Sequence, residues 1–241
     1  MSERDDIYTR PHEAVADFEF NSAVARVFPD MIKRSVPGYA ETVAMSGIIA
    51  ARYAQPGTNL YDLGCSLGAV TLAMRHALKN SDCKIIGIDN SQSMLERAGH
   101  YLALDDEGPE VDLVCADICD YPIENASVTA LNFVLQFIEP GKRLSLLSRI
   151  AEATCEGGAL ILSEKIAFSD SEQSIQDTLH HDFKRANGYS DLEIAQKRSA
   201  IENVLIPETE EVHRDRLKAA GFSQVIRWYQ CFNFVSYLAV K

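Results

Sequence analysis

From position 59 onward the chain alternates short, nearly continuous apolar runs with amphipathic stretches of helical spacing. Runs at 59–63, 84–89, 111–115, 128–133 and 159–163 predict strands, and 69–78, 93–102 and 141–154 predict the helices that connect them. Strands that are apolar on both faces and joined by helices describe a parallel sheet covered on both sides, an open doubly wound α/β sandwich. A last helix is expected at 210–220, stopped by Gly221. Two runs at 224–230 and 233–240, separated only by Cys231 and Phe232, predict an antiparallel pair that closes the sheet edge. The expected sheet is therefore mostly parallel and seven-stranded.

Two segments stand outside this alternation. Positions 20–53 predict two N-terminal helices with a bend at 35–39, where Pro37 and Gly38 interrupt any continuous helix. Positions 165–206 supply some forty mainly helical, polar residues where one short helix would do, so this insertion is expected to be a lid or a dimer interface. Positions 1–19 are polar and lack periodicity, and are expected as a loose arm with no bearing on the chemistry. All 241 residues fit one enlarged domain.

Charge changes the picture more than size does. Lys and Arg number 23 against 35 Asp and Glu, a net charge of −12, which disfavours direct nucleic-acid binding and an anionic membrane surface. No apolar stretch is long enough to span a bilayer and the N-terminal residues are charged, so a soluble, cytoplasmic protein is expected. The six cysteines are scattered and read as free thiols. Cys115 and Cys119 are the only close pair, and with no second pair at ligand spacing no metal is expected.

The chemistry concentrates at the turn Asp62-Leu63-Gly64-Cys65-Ser66-Leu67-Gly68, which leaves a strand and opens a helix. A carboxylate at Asp62 repels a pyrophosphate and attracts an ammonium or sulfonium group. Asp89, ending the second strand, can accept both hydroxyls of a ribose. Asp117 can accept from an adenine amino group or simply cap a turn, and Asn132 ends the fourth strand, where open sheets place substrates. A diol with a cationic tail fits these groups, and S-adenosylmethionine is such a ligand.

These residues carry a resemblance. Asp62 to Gly68, Gly87 to Ser91 and Cys115 to Ile118 resemble the class I S-adenosylmethionine-dependent methyltransferases, with their Rossmann-like fold. The runs Ala25 to Tyr39, His180 to Tyr189 and Gln196 to Ser199 closely resemble the carboxy-S-adenosyl-L-methionine synthase family, over nearly the whole chain from Phe20 and including the insertion. The resemblance implies a transferase that takes S-adenosylmethionine and prephenate to carboxy-S-adenosylmethionine and phenylpyruvate. Its product serves a partner enzyme that carboxymethylates a wobble uridine in tRNA. It implies further that Tyr39, Gly64, Cys65, Ser66, Asp89, Asn90, Asp117, Ile118, Asn132 and Arg198 contact the ligand. In the implied mechanism the group leaving prephenate helps deprotonate the sulfonium methyl, and the resulting ylide attacks carbon dioxide without a protein base.

Arg198 is the candidate catalytic residue, because a guanidinium can hold the acquired carboxylate through two parallel hydrogen bonds. Lys33, Arg34, Lys184, Arg185 and Lys197 are candidates for the carboxylates of prephenate, and the sequence does not choose among them. Adjacent His180 and His181 point about 100° apart on a helix, so at most one faces a site, and a surface or interface role is expected. Leu192, Ile194 and Ala195 have amphipathic spacing and predict that the insertion packs on a second subunit as a homodimer. The rival readings are a conventional small-molecule methyltransferase, a non-catalytic carrier of the carboxylated ligand, and a nucleic-acid methyltransferase that needs a basic partner.

Overall fold

The computed structural model describes residues 3–11, 16–79, 81–105 and 107–241. Its strands are β1 (Asn59–Leu63), β2 (Lys84–Asp89), β3 (Val111–Cys115), β4 (Ala126–Asn132), β5 (Thr154–Ala167), β6 (Glu208–Thr209), β7 (Gln224–Cys231) and β8 (Phe234–Val240). The sheet order is β3-β2-β1-β4-β5-β8-β7, the doubly wound α/β architecture that the alternation predicts. Strands β1 to β5 pair in parallel, whereas β8 runs antiparallel to both β5 and β7. Parallel strands bring all their carboxyl ends to one edge. Because β8 is reversed, its first residue joins that edge, and Phe234 pairs with Lys165 of β5.

The helices are α1 (Ser22–Ser35), α2 (Tyr39–Tyr53), α3 (Ala69–Ala77), α4 (Gln92–Leu102), α5 (Pro140–Ala153), α6 (Asp170–Ala186), α7 (Asp191–Ile201) and α8 (Glu210–Ala220). One face of the sheet buries Leu63, Ile88, Leu131 and Leu162 against Leu147 of α5 and Leu217 of α8. The other buries Leu60, Ile85, Val128 and Ile161 against Ala50 of α2 and Met74 of α3. Each such side chain contributes about 1.5–3 kcal/mol on burial, so the two layers hold the strand ends rigidly in register. A third cluster joins Val27 and Met31 of α1 to Met94 of α4 and Ala200 of α7, and so docks the insertion onto the sandwich. Among the described residues no helix is long and apolar enough to cross a membrane.

Several expectations need correction. Besides the seven strands in continuous order, the two-residue β6 pairs with Ile166 and Ala167. Strand β5 is longer than expected: it starts at Thr154, ahead of the Gly157-Gly158 pair, and continues to Ala167 because β8 pairs with it as far as Lys165. Lys165 therefore lies in the sheet, not at the start of the insertion. Helix α4 starts at Gln92, one residue earlier than expected, and is capped by Ser91, whose side chain accepts from the Met94 N–H. The arm is not loose where it is described. Asp5 is only 2% exposed, and its backbone N–H donates to Asp30 at 2.8 Å, while the rest of the arm, 12–15 and 1–2, falls outside the described residues.

Candidate functional site

The turn after β1 owes its path to Gly64, which sits at φ +75°, and a Cβ there would lie 2.5 Å from Val134. Only glycine meets both conditions without displacing the loop beyond β4. The N–H groups of Gly64 and Cys65 both donate to the Ile88 carbonyl, at 2.7 and 2.9 Å, which locks the turn to the end of β2. Asp62 is buried under the turn, where Oδ2 accepts from the backbone N–H of Thr71 at 2.9 Å and from its hydroxyl at 2.6 Å. Burial raises its carboxyl to about 6 against these stabilising bonds.

Asp89 fixes the same turn from β2: Oδ2 accepts from the Ser66 N–H and Oδ1 from the Ser91 N–H, each at 2.8 Å. Burial still holds its pKa above the ordinary carboxylate range. Each oxygen retains a second lone pair, so the carboxylate can accept a ribose diol while it holds the backbone. Asp117 caps its own turn, accepting from the Cys119 N–H at 2.8 Å, and still faces the cavity. Asn132 carries a buried Oδ1 with no hydrogen-bond partner, the mark of a group waiting for a ligand donor. Beside it Phe133 adopts φ +63°, a left-handed conformation that is costly for an aromatic residue and turns its ring between Tyr39 and Phe234.

These groups surround a cavity of about 380 Å³ at the carboxyl edge of the sheet. Asp89, Asn90, Asp117 and Ile118 line it from β2 and β3, while Lys165 and Phe234 line it from β5 and β8. With strands about 4.8 Å apart, β2 and β5 are separated by about 14 Å of sheet, so the two sets face the cavity from opposite sides. Over the second set, α6 contributes His180 and Lys184, one helical turn apart, and α7 contributes Lys197. The cavity is thus acidic toward β2 and β3 and cationic toward β5, with Phe133, Tyr39 and Phe234 as apolar wall.

Electrostatics sharpen the contrast. Burial lowers Lys184 to about 7, helped by the charges of Lys197, Lys165 and Arg198. Burial likewise lowers Lys197 to about 8, against the pull of Asp5, and lowers Lys165. His180 Nε2 lies 2.7 Å from the Ser35 carbonyl, which only accepts, so this nitrogen carries the proton. Desolvation lowers His180 to about 2, which keeps the ring neutral. Burial and the nearby Asp62 raise the Tyr39 hydroxyl, and burial raises the Cys65 thiol, so neither ionises.

Nine of the ten residues expected to contact the ligand line this cavity, namely Tyr39, Gly64, Cys65, Ser66, Asp89, Asn90, Asp117, Ile118 and Asn132, and Asp62 lines it with them. Arg198 does not. It lies on the exposed side of α7, one residue beyond Lys197, near enough for its charge to lower Lys165, His181 and Lys184. Of the five candidate cations, Lys184 and Lys197 reach the cavity. Lys33 lines a separate groove, Arg34 packs 3.7 Å over the Tyr189 ring, and Arg185 pairs with Asp182 and Asp191 outside. Of the adjacent histidines only His180 lines the cavity, as their spacing allows, and the surface or interface role expected for the pair does not hold for it, since it is buried in an edge-to-face contact with Phe234. Lys165 was not among the candidates, although a charged pair, Glu164-Lys165, inside an otherwise apolar strand run was its signal.

Comparison with known proteins places this geometry. A family model described as a methyltransferase domain matches residues 60–158. A Marinobacter nauticus protein named carboxy-S-adenosyl-L-methionine synthase is 63% identical over 93% of this chain and 90% of its own length. A Trichlorobacter lovleyi protein of the same name is 59% identical over 98% of each chain. Among solved structures, human N-acetylserotonin methyltransferase in complex with SAM superposes with a TM-score of 0.61 at 16% identity, covering 91% of this chain and 55% of that one. That likeness concerns the fold.

Proposed function

The chain belongs to the carboxy-S-adenosyl-L-methionine synthase family, and on that footing we propose that it converts S-adenosylmethionine and prephenate into carboxy-S-adenosylmethionine and phenylpyruvate. The observation that carries this reading is the two-sided cavity, which offers carboxylates to a cationic sulfonium ligand and lysines to an anion within one enclosure. A conventional methyltransferase needs only the first side. Asp89 takes the ribose, Asp117 and the Ile118 backbone take the adenine, and Asp62 with the aromatic wall favours the sulfonium. The orphaned Asn132 Oδ1 supplies an acceptor for the ligand's amino-acid end or methyl-bearing region.

The chemistry balances without a protein base. Prephenate loses its ring carboxylate as carbon dioxide and its ring hydroxyl as hydroxide, which leaves the aromatic phenylpyruvate. The hydroxide takes a proton from the sulfonium methyl and departs as water. The deprotonated carbon then bonds to carbon dioxide and becomes a carboxymethyl group. The protein's part is to exclude bulk water and hold the two substrates at reacting distance. His180 is neutral and already donates to Ser35, which accords with a wall residue, not a base.

Arg198 remains the proposed partner of the new carboxylate. A side-chain swing from its own α7 or placement by a second copy would bring it there. A homodimer through α6 and α7 suits the apolar groups left open there: Ile175 is 60% exposed and Leu192 40%, whereas Ile194, at 5%, packs into its own chain. The product is the donor that a tRNA carboxymethyltransferase needs for a wobble uridine, and the cytoplasm is where such a partner works. Mass spectrometry after incubation with both substrates tests the reading. A carboxylated S-adenosylmethionine accompanied by phenylpyruvate supports it, and transfer of an unmodified methyl group contradicts it.

A further inference from the structure

The three lysines of the cavity are not equivalent. Lys197 Nζ donates to the Ser35 hydroxyl at 3.0 Å and lies 3.5 Å from both Asp5 Oδ2 and the Tyr189 hydroxyl, which itself donates to Asp5 at 2.5 Å. Its charge is matched within the protein. Lys165 and Lys184 have no carboxylate at ion-pair distance among the described residues, and no acceptor bonded to either ammonium. Asp177 acts on both only as a more distant charge, so two partly buried cations are kept close together without a bonded counter-ion, and a bound anion is the natural relief of that cost.

Prephenate offers two carboxylates with opposite needs. The ring carboxylate must become neutral carbon dioxide, and a cation held against it would stabilise the starting state and oppose its loss. The 2-oxo-acid carboxylate keeps its charge from substrate to phenylpyruvate, so binding it costs the reaction nothing. The wall beside the lysines is apolar: Phe234 is the ladder partner of Lys165, and the Phe133 ring packs on Phe234 with centroids 5.9 Å apart.

We propose that Lys165 and Lys184 together seat the 2-oxo-acid carboxylate of the co-substrate, leaving the departing ring carboxylate against Phe133 and Phe234, while Lys197 with Asp5 is a fixed pair that positions α7. This rests on the prephenate reading above and assigns its binding residues. A 2-oxo acid with an aromatic or dienyl ring is the class of ligand the pair selects. The helical repeat that puts His180 and Lys184 on one face of α6 lets the neutral imidazole close the same wall.

The test uses phenylpyruvate as a probe, because it keeps the 2-oxo carboxylate and lacks the ring carboxylate. Calorimetry on the full chain saturated with S-adenosylhomocysteine, which lacks the methyl group that would react, measures both acids against wild type, Lys165→Met and Lys184→Met, and S-adenosylmethionine is titrated separately. Loss of one charge-assisted contact should weaken phenylpyruvate and prephenate alike by roughly ten- to a hundredfold, with S-adenosylmethionine affinity unchanged within about twofold. Weakened prephenate with unchanged phenylpyruvate would place the lysines on the departing carboxylate and overturn the assignment. Weakened S-adenosylmethionine, or a wild type that binds neither acid, overturns it as well. Should wild type bind both acids through these lysines and still yield no carboxylated product, the assignment stands and the proposed reaction falls. Lys184→Arg, which keeps the charge, should restore most of the phenylpyruvate affinity.

Discussion

Lys197 Nζ lies 3.5 Å from Asp5 Oδ2, so a residue near the start of the chain neutralises a cation on the wall of the cavity. Tyr189 bonds the same carboxylate oxygen, and Arg34 packs on the Tyr189 ring, which ties the N-terminal segment, α1 and α7 into one buried network.

Breaking that network from one side should be expensive. Asp5→Asn leaves Lys197 buried without its counter-charge, for which about 3–5 kcal/mol of destabilisation is expected. Denaturant melts of the single variants and of Asp5→Asn with Lys197→Met should show the double variant recovering much of the loss. Additive losses would mean that the two residues act independently.

Asp89 holds the Ser66 and Ser91 N–H groups as well as facing the cavity, so Asp89→Ala should weaken S-adenosylmethionine by at least roughly tenfold. Gly64→Ala should do more, since the added Cβ meets Val134 in a backbone conformation that alanine resists. Equilibrium binding of S-adenosylmethionine checks both, and wild-type affinity in either variant would contradict this account of the turn.

The cavity should give a bell-shaped pH profile. Asp62, raised to about 6 by burial, must lose its proton to attract a sulfonium, so affinity for S-adenosylmethionine should rise as pH climbs through 6. Lys184, lowered to about 7 in the free protein by burial and by Lys197, Lys165 and Arg198 against the opposing Asp177, must hold its proton to bind an anion. Prephenate affinity should therefore fall by up to about tenfold per pH unit above 7. The stability contribution of Lys184 has the opposite slope. Its folded pKa lies below the unfolded value near 10.4, the unfolded chain binds more protons between these limits, and stability from this group rises with pH across that window. Titration of kcat/KM in Lys184→Met should lack the alkaline limb, and persistence of that limb would assign it to another group.

How much of this was legible in the sequence follows from which interactions are local. Each strand-end group sits beside its own turn signal, so Asp62, Gly64, Asp89, Asp117 and Asn132 could be placed from spacing alone, and the cavity gathers all five. Lys165 could not, because its strand is prolonged past the apolar run by pairing with β8, some seventy positions later in the chain. Asp5 looked like any residue of a polar arm, since its burial depends on Tyr189 and Lys197 far along the sequence. Motif resemblance alone points to Arg198, and its helix turns it outward next to a lysine that turns in.

That outward position makes Arg198 separable from the pocket wall. Arg198→Ala should weaken carboxy-S-adenosylmethionine by roughly ten- to a hundredfold and leave S-adenosylmethionine nearly unchanged. Competition binding compares the two ligands, and equal affinities for both in wild type would remove Arg198 from the account. Sedimentation of the same samples at micromolar concentration should show a dimer, and a purely monomeric species would count against the α6 and α7 interface.

On the proposed reading a carboxyl group passes from prephenate to the sulfonium methyl within the cavity at the carboxyl edge of the sheet. Prephenate carrying an isotopic label in its ring carboxylate, supplied with S-adenosylmethionine in buffer containing unlabelled bicarbonate, tests this directly by mass spectrometry. Labelled carboxy-S-adenosylmethionine is expected in step with unlabelled phenylpyruvate. Label lost to solution while the methyl group is transferred intact, or a product carboxyl drawn from bicarbonate, would contradict it.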